Sequence, residues 1–215
     1  MLSFVYDSIS DGRIVAKSEH SSVRIIAGCW KGRRIHFATK GIRPTADRVR
    51  ETLFNWLQPS ISDACCLDMF AGTGALGLEA LSRGAVKTVF IEQNRQAVSQ
   101  LKKNIEVLGV KEAGSRSAKV IKADAFTLSY ADRGPFDIVF IDPPFVSLGT
   151  GPILSNLCTL LESAGCLSPD AYIYIEMAKQ VELPSLPEIW SIVRERTAGN
   201  VRYMLVQRKP RHKSI

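Results

Sequence analysis

The sequence predicts an α/β fold with a mostly parallel β-sheet that helices cover on both faces. After Pro59, four apolar segments typical of buried strands, "CCLDMF", "TVFIE", "KVIKA" and "DIVFID", alternate with segments typical of helices. Such alternation gives parallel strands joined by crossover helices. Near the end, "AYIYIEM", "WSIVRERT" and "VRYMLVQRK" follow one another without full helices, and "AGN" is typical of a hairpin turn. We therefore expect an antiparallel strand to complete the sheet.

A β-hairpin and one helix precede this sheet. "VRIIAG" and "RRIHFA" are typical of two short strands around a turn that contains Gly32. The segment "RPTADRVRETLFNWL" predicts a helix, because Thr45 can cap its start and its apolar residues share one face. Those apolar residues are Val49, Leu53, Trp56 and Leu57. The helices expected within the sheet region are Ala75–Arg83, Asn94–Leu108, Ala125–Ala131 and Ile153–Ser163.

Length and composition indicate one full-sized domain with a small appendage. The chain has 215 residues, of which 46% are hydrophobic, and this suits a packed core. We divide it into an extension at 1–22, expected to be poorly ordered, a hairpin-and-helix unit at 23–60, a main domain at 61–210 and a basic tail at 211–215. Since the chain carries neither a membrane-spanning apolar run nor a signal-peptide pattern, we expect a cytoplasmic protein. We also expect it to be a monomer.

The cysteines and histidines indicate no metal site. Five cysteines and three histidines are scattered without the spacing of metal ligands or of redox pairs. We therefore expect reduced, mostly buried thiols and no bound metal.

The positive charge is concentrated at the two ends of the chain. Residues 1–50 hold 10 Lys/Arg and 4 Asp/Glu, and residues 189–215 hold 7 and 1, so each end has a net charge of +6. The middle, 51–188, holds 11 and 16, a net charge of −5. Such an uneven division favours a polyanionic partner that the ends bind.

A glycine-rich turn follows the first strand of the sheet. Residues Gly72–Gly77, "GTGALG", match the pattern G-x-G-x-x-G, and Glu92 lies 20 residues past Gly72. Taken alone, this segment matches the fingerprint of dinucleotide-binding proteins. However, Asp68 and Asp142 should end adjacent strands beside the turn. Two carboxylates repel a pyrophosphate in a poorly screened crevice, so the charges favour a different ligand.

The ligand that these acids favour is S-adenosylmethionine, which has no phosphate and carries a sulfonium and an ammonium group. Glu92 can accept hydrogen bonds from both ribose hydroxyls, and Asp124 can accept one from the adenine amino group. Four acids at four consecutive strand ends lie where ligands bind in parallel sheets. The residues expected to contact this cofactor are Asp68, Phe70, Ala71, Gly72, Gly74, Glu92, Asp124, Ala125 and Asp142.

The segment "VFIDPPF" places a carboxylate, a rigid backbone and an aromatic ring at the end of one strand. An exocyclic amine of a nucleobase is a poor nucleophile, because its lone pair is delocalised into the ring. Asp142 can accept a hydrogen bond from one N–H of that amine, and the carbonyl of Pro143 can accept the other. Pro144 fixes the backbone, and Phe145 can stack on the base in line with the methyl donor. These four residues are the predicted catalytic set.

Together these motifs resemble the class I methyltransferases that modify amino groups, which carry an Asp/Asn-Pro-Pro-aromatic motif. In their order, "RIIAG", "KGRRI", "RPTADRVRETLFNWL", "CLDMFAGTGALGLEALSRGA" and "VFIDPPF" resemble the bacterial RsmD family, over about Val23 to Arg208. The resemblance implies a Rossmann-like sheet of seven strands with the last strand antiparallel. It also implies methylation of N2 of a guanine in 16S rRNA, with S-adenosylmethionine, on the assembling small subunit. Gln93 and Asn94 follow the ribose-binding acid, so only Glu92 carries over from that motif.

The basic residues of the hairpin and helix are then candidates for RNA binding. We expect phosphate contacts from Arg24, Lys31, Arg33 and Arg34, and we expect Arg43, Arg48 and Arg50 to line the mouth of the site. Such contacts position RNA without selecting its sequence. Arg48 or Arg50 could instead pair with Glu51 or with the cofactor carboxylate. The target guanine has to be unpaired or flipped out for its N2 to reach Asp142.

Three other functions compete with rRNA methylation. The Pro-Pro motif does not encode the base, so an adenine-N6 methyltransferase of DNA or RNA is one, although the chain lacks an obvious domain for recognising duplex DNA. A non-catalytic RNA-binding assembly factor is another, and the intact acids and glycines count against it. A nicotinamide-dependent oxidoreductase is the third, and Asp68 and Asp142 count against that cofactor.

Overall fold

The structure, a computed structural model, describes residues 20–38, 46–144 and 151–209. These ranges contain nine strands and four helices. The strands are β1 (His20–Arg24), β2 (Arg34–Ala38), β3 (Cys65–Asp68), β4 (Lys87–Glu92), β5 (Ser117–Lys122), β6 (Phe136–Ile141), β7 (Leu167–Ala178), β8 (Trp190–Ala198) and β9 (Val201–Arg208). The helices are α1 (Asp47–Leu57), α2 (Ala75–Ser82), α3 (Arg95–Val107) and α4 (Gly151–Ser163).

Seven of the strands form one sheet in the order β5-β4-β3-β6-β7-β9-β8. Strands β3 to β7 run parallel to one another, and β9 is antiparallel to both of its neighbours, β7 and β8. The predicted α/β fold, with the last strand antiparallel, is therefore confirmed. From β3 the chain moves outward through β4 and β5 and then returns to the other side of β3 as β6. This reversal creates a crevice at the carboxyl ends of β3 and β6.

Two apolar layers hold the sheet between its helices. On one face, residues of α1, α2 and α3 pack with the hairpin β1–β2, and the rings of Phe54 and Phe140 lie 5.9 Å apart. On the other face, Leu154, Leu157 and Leu161 of α4 pack against the sheet. Because helices cover both faces, the central strands are apolar over most of their length, as in β6, where Ile138–Ile141 are buried.

The hairpin is joined to α2 by hydrogen bonds to two buried side chains of that helix. The carboxylate of Glu79, in α2, accepts the backbone N–H groups of Ile26 at 2.7 Å and Ala27 at 3.0 Å. The hydroxyl of Ser82, the last residue of α2, donates to the carbonyl of Ala27 at 2.6 Å and accepts from the N–H of Trp30 at 3.0 Å. The connection after β1 is therefore fixed to a helix of the main domain.

The structure differs from the expected element boundaries near the start of the described chain. Strand β1 begins at His20, inside the segment 1–22 that we set apart as an extension. Helix α1 has Ala46 in the N-cap position without a side-chain capping bond, and the expected cap by Thr45 stays a prediction. Thr45 itself, like residues 1–19 and the tail 211–215, lies outside the described residues.

The predicted helix at 125–131 does not form. The segment contains turns, in which the N–H groups of Thr127 and Leu128 both bond to the carbonyl of Asp124. The side chain of Asp124 accepts the N–H of Phe126 at 2.8 Å, and a carboxylate that bonds nearby backbone in this way favours a turn. A single helical turn has only one or two hydrogen bonds to offset the cost of nucleation, so the segment is too short to propagate.

None of the described helices has both the length and the apolar character that a bilayer crossing requires. In the same ranges, no group of three or more His, Cys, Asp or Glu side chains is arranged to hold a metal ion.

Candidate active site

Four acidic residues line the carboxyl edge of the sheet around the crevice. Asp68 ends β3, Glu92 ends β4, Asp124 follows β5 and Asp142 follows β6. Since these strands are neighbours in the order β5-β4-β3-β6, the acids follow the same order along the edge. The structure thus places all four at adjacent strand ends, as the sequence predicted, and their roles in binding stay predictions.

Asp68 is buried at the centre of this row. Its Oδ2 accepts the backbone N–H of Gly77, in the first turn of α2, at 3.1 Å. Burial raises the pKa of the Asp68 carboxyl to about 7, the bond from Gly77 opposes this rise, and the nearby charges of Asp142 and Glu92 add to it. The crevice therefore contains more negative charge than its own surroundings neutralise, and a cationic ligand would relieve it.

Glu92 organises the glycine turn. Its Oε2 accepts the N–H of Gly72 at 2.8 Å, and its Oε1 accepts the N–H of Asn94 at 2.7 Å. Asn94 is also the N-cap of α3, because its side chain accepts from Gln96 and Ala97. A carboxylate oxygen has two lone pairs, so Glu92 can hold the turn and still accept ribose hydroxyls.

Two glycines of the fingerprint are explained by packing. A Cβ at Gly77 would collide with the ring of Phe90, so this glycine lets α2 approach the sheet closely. Gly74 is the N-cap of α2 with a φ of 81°, and a Cβ there would collide with Leu101 of α3. Two glycines of the pattern G-x-G-x-x-G thus serve helix–sheet and helix–helix packing.

Asp142 begins the Asp-Pro-Pro segment and is half-buried at the end of β6. Burial is the main cause of the raised pKa values of Asp68 and of Tyr174, and the charge of Asp142 adds to both. Pro143 is buried and Pro144 is exposed, whereas Phe145 lies outside the described residues. The acid proposed as catalytic therefore faces the same group of side chains as the buried acid of β3.

An aromatic pair, Phe70 and Phe126, and a polar pair, Tyr174 and Glu176, border the crevice. Of these four residues, the sequence predicted only Phe70. Phe70, a predicted cofactor contact, lies with its ring 6.0 Å from that of Phe126, beside Asp124. On the other side, the hydroxyl of Tyr174 donates to Oε2 of Glu176 at 2.6 Å. Burial raises the pKa of Tyr174 well above its usual value, and the charges of Glu176 and Asp142 raise it further.

Sequence signals for these three missed residues exist, although they are weak. Phe126 follows the predicted adenine-binding acid directly in "DAF", and Glu176 is an acid within the apolar strand "AYIYIEM". Ile175 pairs with Ile141, so Glu176 lies beside the residue that follows β6. The position of Glu176 could be recognised only once the pairing of β7 with β6 was known.

The remaining predicted cofactor residues lie at the same edge. Ala71 is buried and its N–H donates to the carbonyl of Ile91 at 2.9 Å, so the glycine turn is tied to the end of β4. Ala125 is buried after Asp124, and its carbonyl accepts the hydroxyl of Tyr130 at 2.8 Å. Backbone contacts therefore fix both loops that border the crevice.

Arg50 corrects one prediction about RNA binding. Its side chain is fully buried, and its Nη2 donates to the carbonyl of Arg24 at 2.8 Å and to Oδ1 of Asp47 at 2.6 Å. It pairs with Asp47 and lies 3.8 Å from the buried Glu79, so the alternative pairing with Glu51 is also wrong. Arg50 lies on the apolar face of α1 with Leu53 and cannot contact a phosphate from there.

The other candidates for RNA binding differ in their surroundings. Arg24, Lys31, Arg33, Arg34 and Arg48 are exposed, and Arg43 lies outside the described residues. Nη1 of Arg34 donates to the hydroxyl of Ser22 at 3.0 Å, across the hairpin. Nη2 of Arg33 donates to the carbonyl of Val107, the last residue of α3, at 2.9 Å. The exposed positions fit phosphate contacts, and these roles stay predictions.

The fold and the crevice together are those of the class I methyltransferases, in which a seven-stranded sheet has one antiparallel strand and the ligand lies at the strand ends. A family model described as "Conserved hypothetical protein 95" matches residues 23–207, and the chain belongs to this family. The resemblance found in the sequence is therefore confirmed.

Two curated relatives that match over nearly their whole length carry the same name. "Ribosomal RNA small subunit methyltransferase D" of Escherichia coli (strain K12) is 46% identical over 202 residues, which are 92% of this chain and 98% of the relative. The protein of that name from Haemophilus influenzae is 42% identical, over 91% of this chain and 98% of the relative.

Solved structures show the same fold. A structure from Escherichia coli has a TM-score of 0.77 at 44% identity. The match covers 89% of this chain and 100% of the Escherichia coli chain. A structure from Haemophilus influenzae has a TM-score of 0.72 at 42% identity. That match covers 88% of this chain and 99% of the Haemophilus influenzae chain.

Proposed function

We propose that this protein transfers a methyl group from S-adenosylmethionine to the exocyclic N2 of a guanine in 16S rRNA, within the assembling small ribosomal subunit. The observation that carries the proposal is the position of Asp142-Pro143-Pro144 at the reversal of strand order, beside the buried acid Asp68. Membership of the family and the names of its curated relatives support rRNA of the small subunit as the substrate.

The side chains of the crevice suit this cofactor. Burial, together with the charges of Asp142 and Glu92, raises the pKa of Asp68 to about 7. A sulfonium and an ammonium would offset the part of this rise that comes from repulsion between the acids. The pyrophosphate of a dinucleotide would increase that repulsion. We assign the ribose to Glu92, the adenine amino group to Asp124, and the apolar border of the adenine to Phe70 and Phe126.

When bound, S-adenosylmethionine supplies an electrophilic methyl group next to a positively charged sulfur. The protein has to orient the amine and draw off the positive charge that develops on nitrogen. The carboxylate of Asp142 would accept one N–H of the guanine amine, and the carbonyl of Pro143 would accept the other, which favours a tetrahedral nitrogen with an available lone pair. Phe145, the stacking residue of this proposal, holds the ring of the base in line.

The substrate has to present its base outside a helical stack. The reacting N2 lies on an edge that base pairing covers, and it reaches Asp142 only from an unpaired or flipped nucleotide. An assembling particle can hold one guanine in such a conformation. We assign the exposed arginines of the hairpin and α1 to phosphates of the RNA, where they set its position and do not read its sequence.

The experiment that tests the proposal is transfer of a tritiated methyl group to small subunits from a strain that lacks the native enzyme, followed by nucleoside mapping. We expect label in N2-methylguanosine of 16S rRNA and none in an Asp142→Ala variant. Label in DNA and none in rRNA would favour an adenine methyltransferase. Wild-type protein that binds the particles without any transfer would favour a non-catalytic assembly factor.

A further inference from the structure

The turn of the hairpin lies at the opposite end of the molecule from the crevice. The N–H of Cys29 donates to the carbonyl of Ser82, the last residue of α2, at 2.9 Å. Arg33 donates to the carbonyl of Val107, the last residue of α3. Both helices follow strands that end at the crevice and run back toward the amino edge of the sheet. The hairpin turn is therefore fixed at the amino edge.

The separation between this turn and the crevice follows from the length of α3. The helix has 13 residues, and at about 1.5 Å per residue it spans about 20 Å. One strand of a nucleic-acid helix advances about 3.4 Å per nucleotide, so this distance corresponds to about six nucleotides of a duplex. Lys31 and Arg33, which we predicted to bind phosphates, are thus remote from the target base.

The surface at the turn combines cationic and aromatic side chains from two separate parts of the chain. The guanidinium of Arg116, from the loop before β5, lies 5.3 Å from the ring centroid of Trp30, and its Nη1 lies 2.9 Å from the sulfur of Cys29. Lys31 and Arg33 are exposed beside them. We call Trp30, Lys31, Arg33 and Arg116 the tip patch.

The charges around the tip patch favour a polyanion. Lys111 is a further exposed cation, and Glu106 and Glu112 are exposed acids of the adjoining segments, so the surface keeps a net positive charge. An arginine has five N–H donors, and Arg33 can bind a phosphate while one of them bonds to Val107. Trp30 with Arg116 offers a flat cationic surface against which a base or a ribose can pack.

The tip patch is held rigidly relative to the crevice. Ser82 and Glu79 bond the chain on the near side of the turn to α2, and Asn104 of α3 accepts the N–H of His36 at 3.2 Å and donates to its carbonyl at 2.9 Å. A contact at the tip would therefore fix a second point of the RNA at a set distance from the reacting base.

We propose that the tip patch is a second RNA-binding site, which takes the phosphate backbone of a segment about six nucleotides or more from the target guanine. This inference rests on the proposed function, and it adds a requirement to it. A good substrate has to present both an accessible guanine and a second stretch of backbone at the separation that α3 sets. A folded particle meets this requirement, and a short single strand does not.

The test compares two charge reversals of equal size. The variant Lys31→Glu with Arg116→Glu changes the tip patch by four charge units, two for each substitution. The control, Lys119→Glu with Lys179→Glu, makes the same change at exposed positions outside the tip patch and outside the two basic ends of the chain. We measure KM and kcat for small-subunit particles, the Kd for S-adenosylmethionine, and particle binding without cofactor at several salt concentrations.

For the tip variant we expect KM and the particle Kd to rise about tenfold or more, and the salt slope of log Kd to fall by about 2. The kcat at saturation and the cofactor Kd should change less than twofold, which a misfolded variant would not give. Equal losses in the control, or particle binding like that of wild type in the tip variant, would overturn the inference. Because particle binding is measured without methyl transfer, absence of transfer by wild type would contradict the proposed function alone.

A Trp30→Ala variant tests the aromatic part and should weaken particle binding in the same assay.

Discussion

Arg50 and Glu79 lie opposite each other in the interior, with Nη1 3.8 Å from Oε2 and neither side chain exposed to solvent. Glu79 also accepts Nε of Arg83 at 2.7 Å and the two backbone N–H groups after β1. One carboxylate thus links α1, α2 and the hairpin. Among the described residues, Nε and Nη1 of Arg50 have no hydrogen-bond partner, so its charge depends on the ion pairs around it.

Loss of Arg50 should therefore destabilise the protein strongly. Removing one member of a buried ion pair leaves the other charge unpaired, at a cost of about 3–5 kcal/mol. We expect Arg50→Met to lower the free energy of unfolding in urea by about this amount. Arg48→Met, an exposed neighbour on the same helix, should stay within about 0.5 kcal/mol of wild type. Equal stability of the two variants would contradict the role of Arg50 in the core.

Substitution of Asp142 should separate chemistry from cofactor binding. We expect Asp142→Ala to lower kcat by about 10²–10⁴, because no side-chain oxygen then accepts the N–H of the amine. The Kd for S-adenosylmethionine, measured by titration calorimetry, should change little, since the other acids of the crevice remain. Asp132→Ala, at an exposed position, is the matched control. A variant at position 142 with wild-type kcat would refute the catalytic assignment.

Cofactor selection should depend on Glu92. Glu92→Gln keeps the shape of the side chain and removes the charge next to Gly72, so we expect the Kd for S-adenosylmethionine to rise about tenfold or more, at a cost of about 1.5–3 kcal/mol for a hydrogen bond to a charged group. Glu106→Gln, exposed on α3, should leave the Kd unchanged. Wild type should bind NAD far more weakly than S-adenosylmethionine, and the reverse preference would remove the basis for the cofactor.

The raised pKa of Asp68 should make stability depend on pH. In the unfolded chain this carboxyl titrates near 3.8, and in the folded protein near 7. Between these values the folded state holds the extra proton, so the stability that this proton contributes is present below about pH 4 and is lost as the pH rises toward 7 and above. We expect the cofactor-free protein to lose stability over this range, and Asp68→Asn to lose much less.

Binding of a cationic cofactor should lower that same pKa. The affinity of wild type for S-adenosylmethionine should therefore rise as the pH increases through 7, with release of a proton on binding. Calorimetric titrations in two buffers of different ionisation enthalpy measure this proton. If wild type and Asp68→Asn show the same pH dependence of both stability and Kd, Asp68 is not the titrating group.

Much of the fold and part of the crevice could be predicted because the relevant signals are local. Buried parallel strands require continuous apolar runs, and a chain that alternates them with helices has few ways to fold. The acids at the strand ends follow directly from that alternation, since the carboxyl ends of parallel strands meet at one edge.

The features that could not be predicted depend on partners far apart in the chain. Arg50 is buried because Glu79, on another helix, offers a carboxylate, and charge composition alone makes such an arginine look like a surface residue. Glu176 joins the crevice only through the pairing of β7 with β6. The failed helix at 125–131 has a local cause, the turn that the side chain of Asp124 stabilises.

The position of β9 inside the sheet has a consequence for synthesis of the chain. Strand β9 lies between β7 and β8, and both of these strands are synthesised before it. Strand β8 can therefore join the sheet only after β9 has been made. While the ribosome is still adding these residues, β7 keeps an open, apolar edge. The native sheet therefore cannot be completed until Arg208, the last residue of β9, has been synthesised. Until then the open edge of β7 makes the nascent chain prone to aggregate.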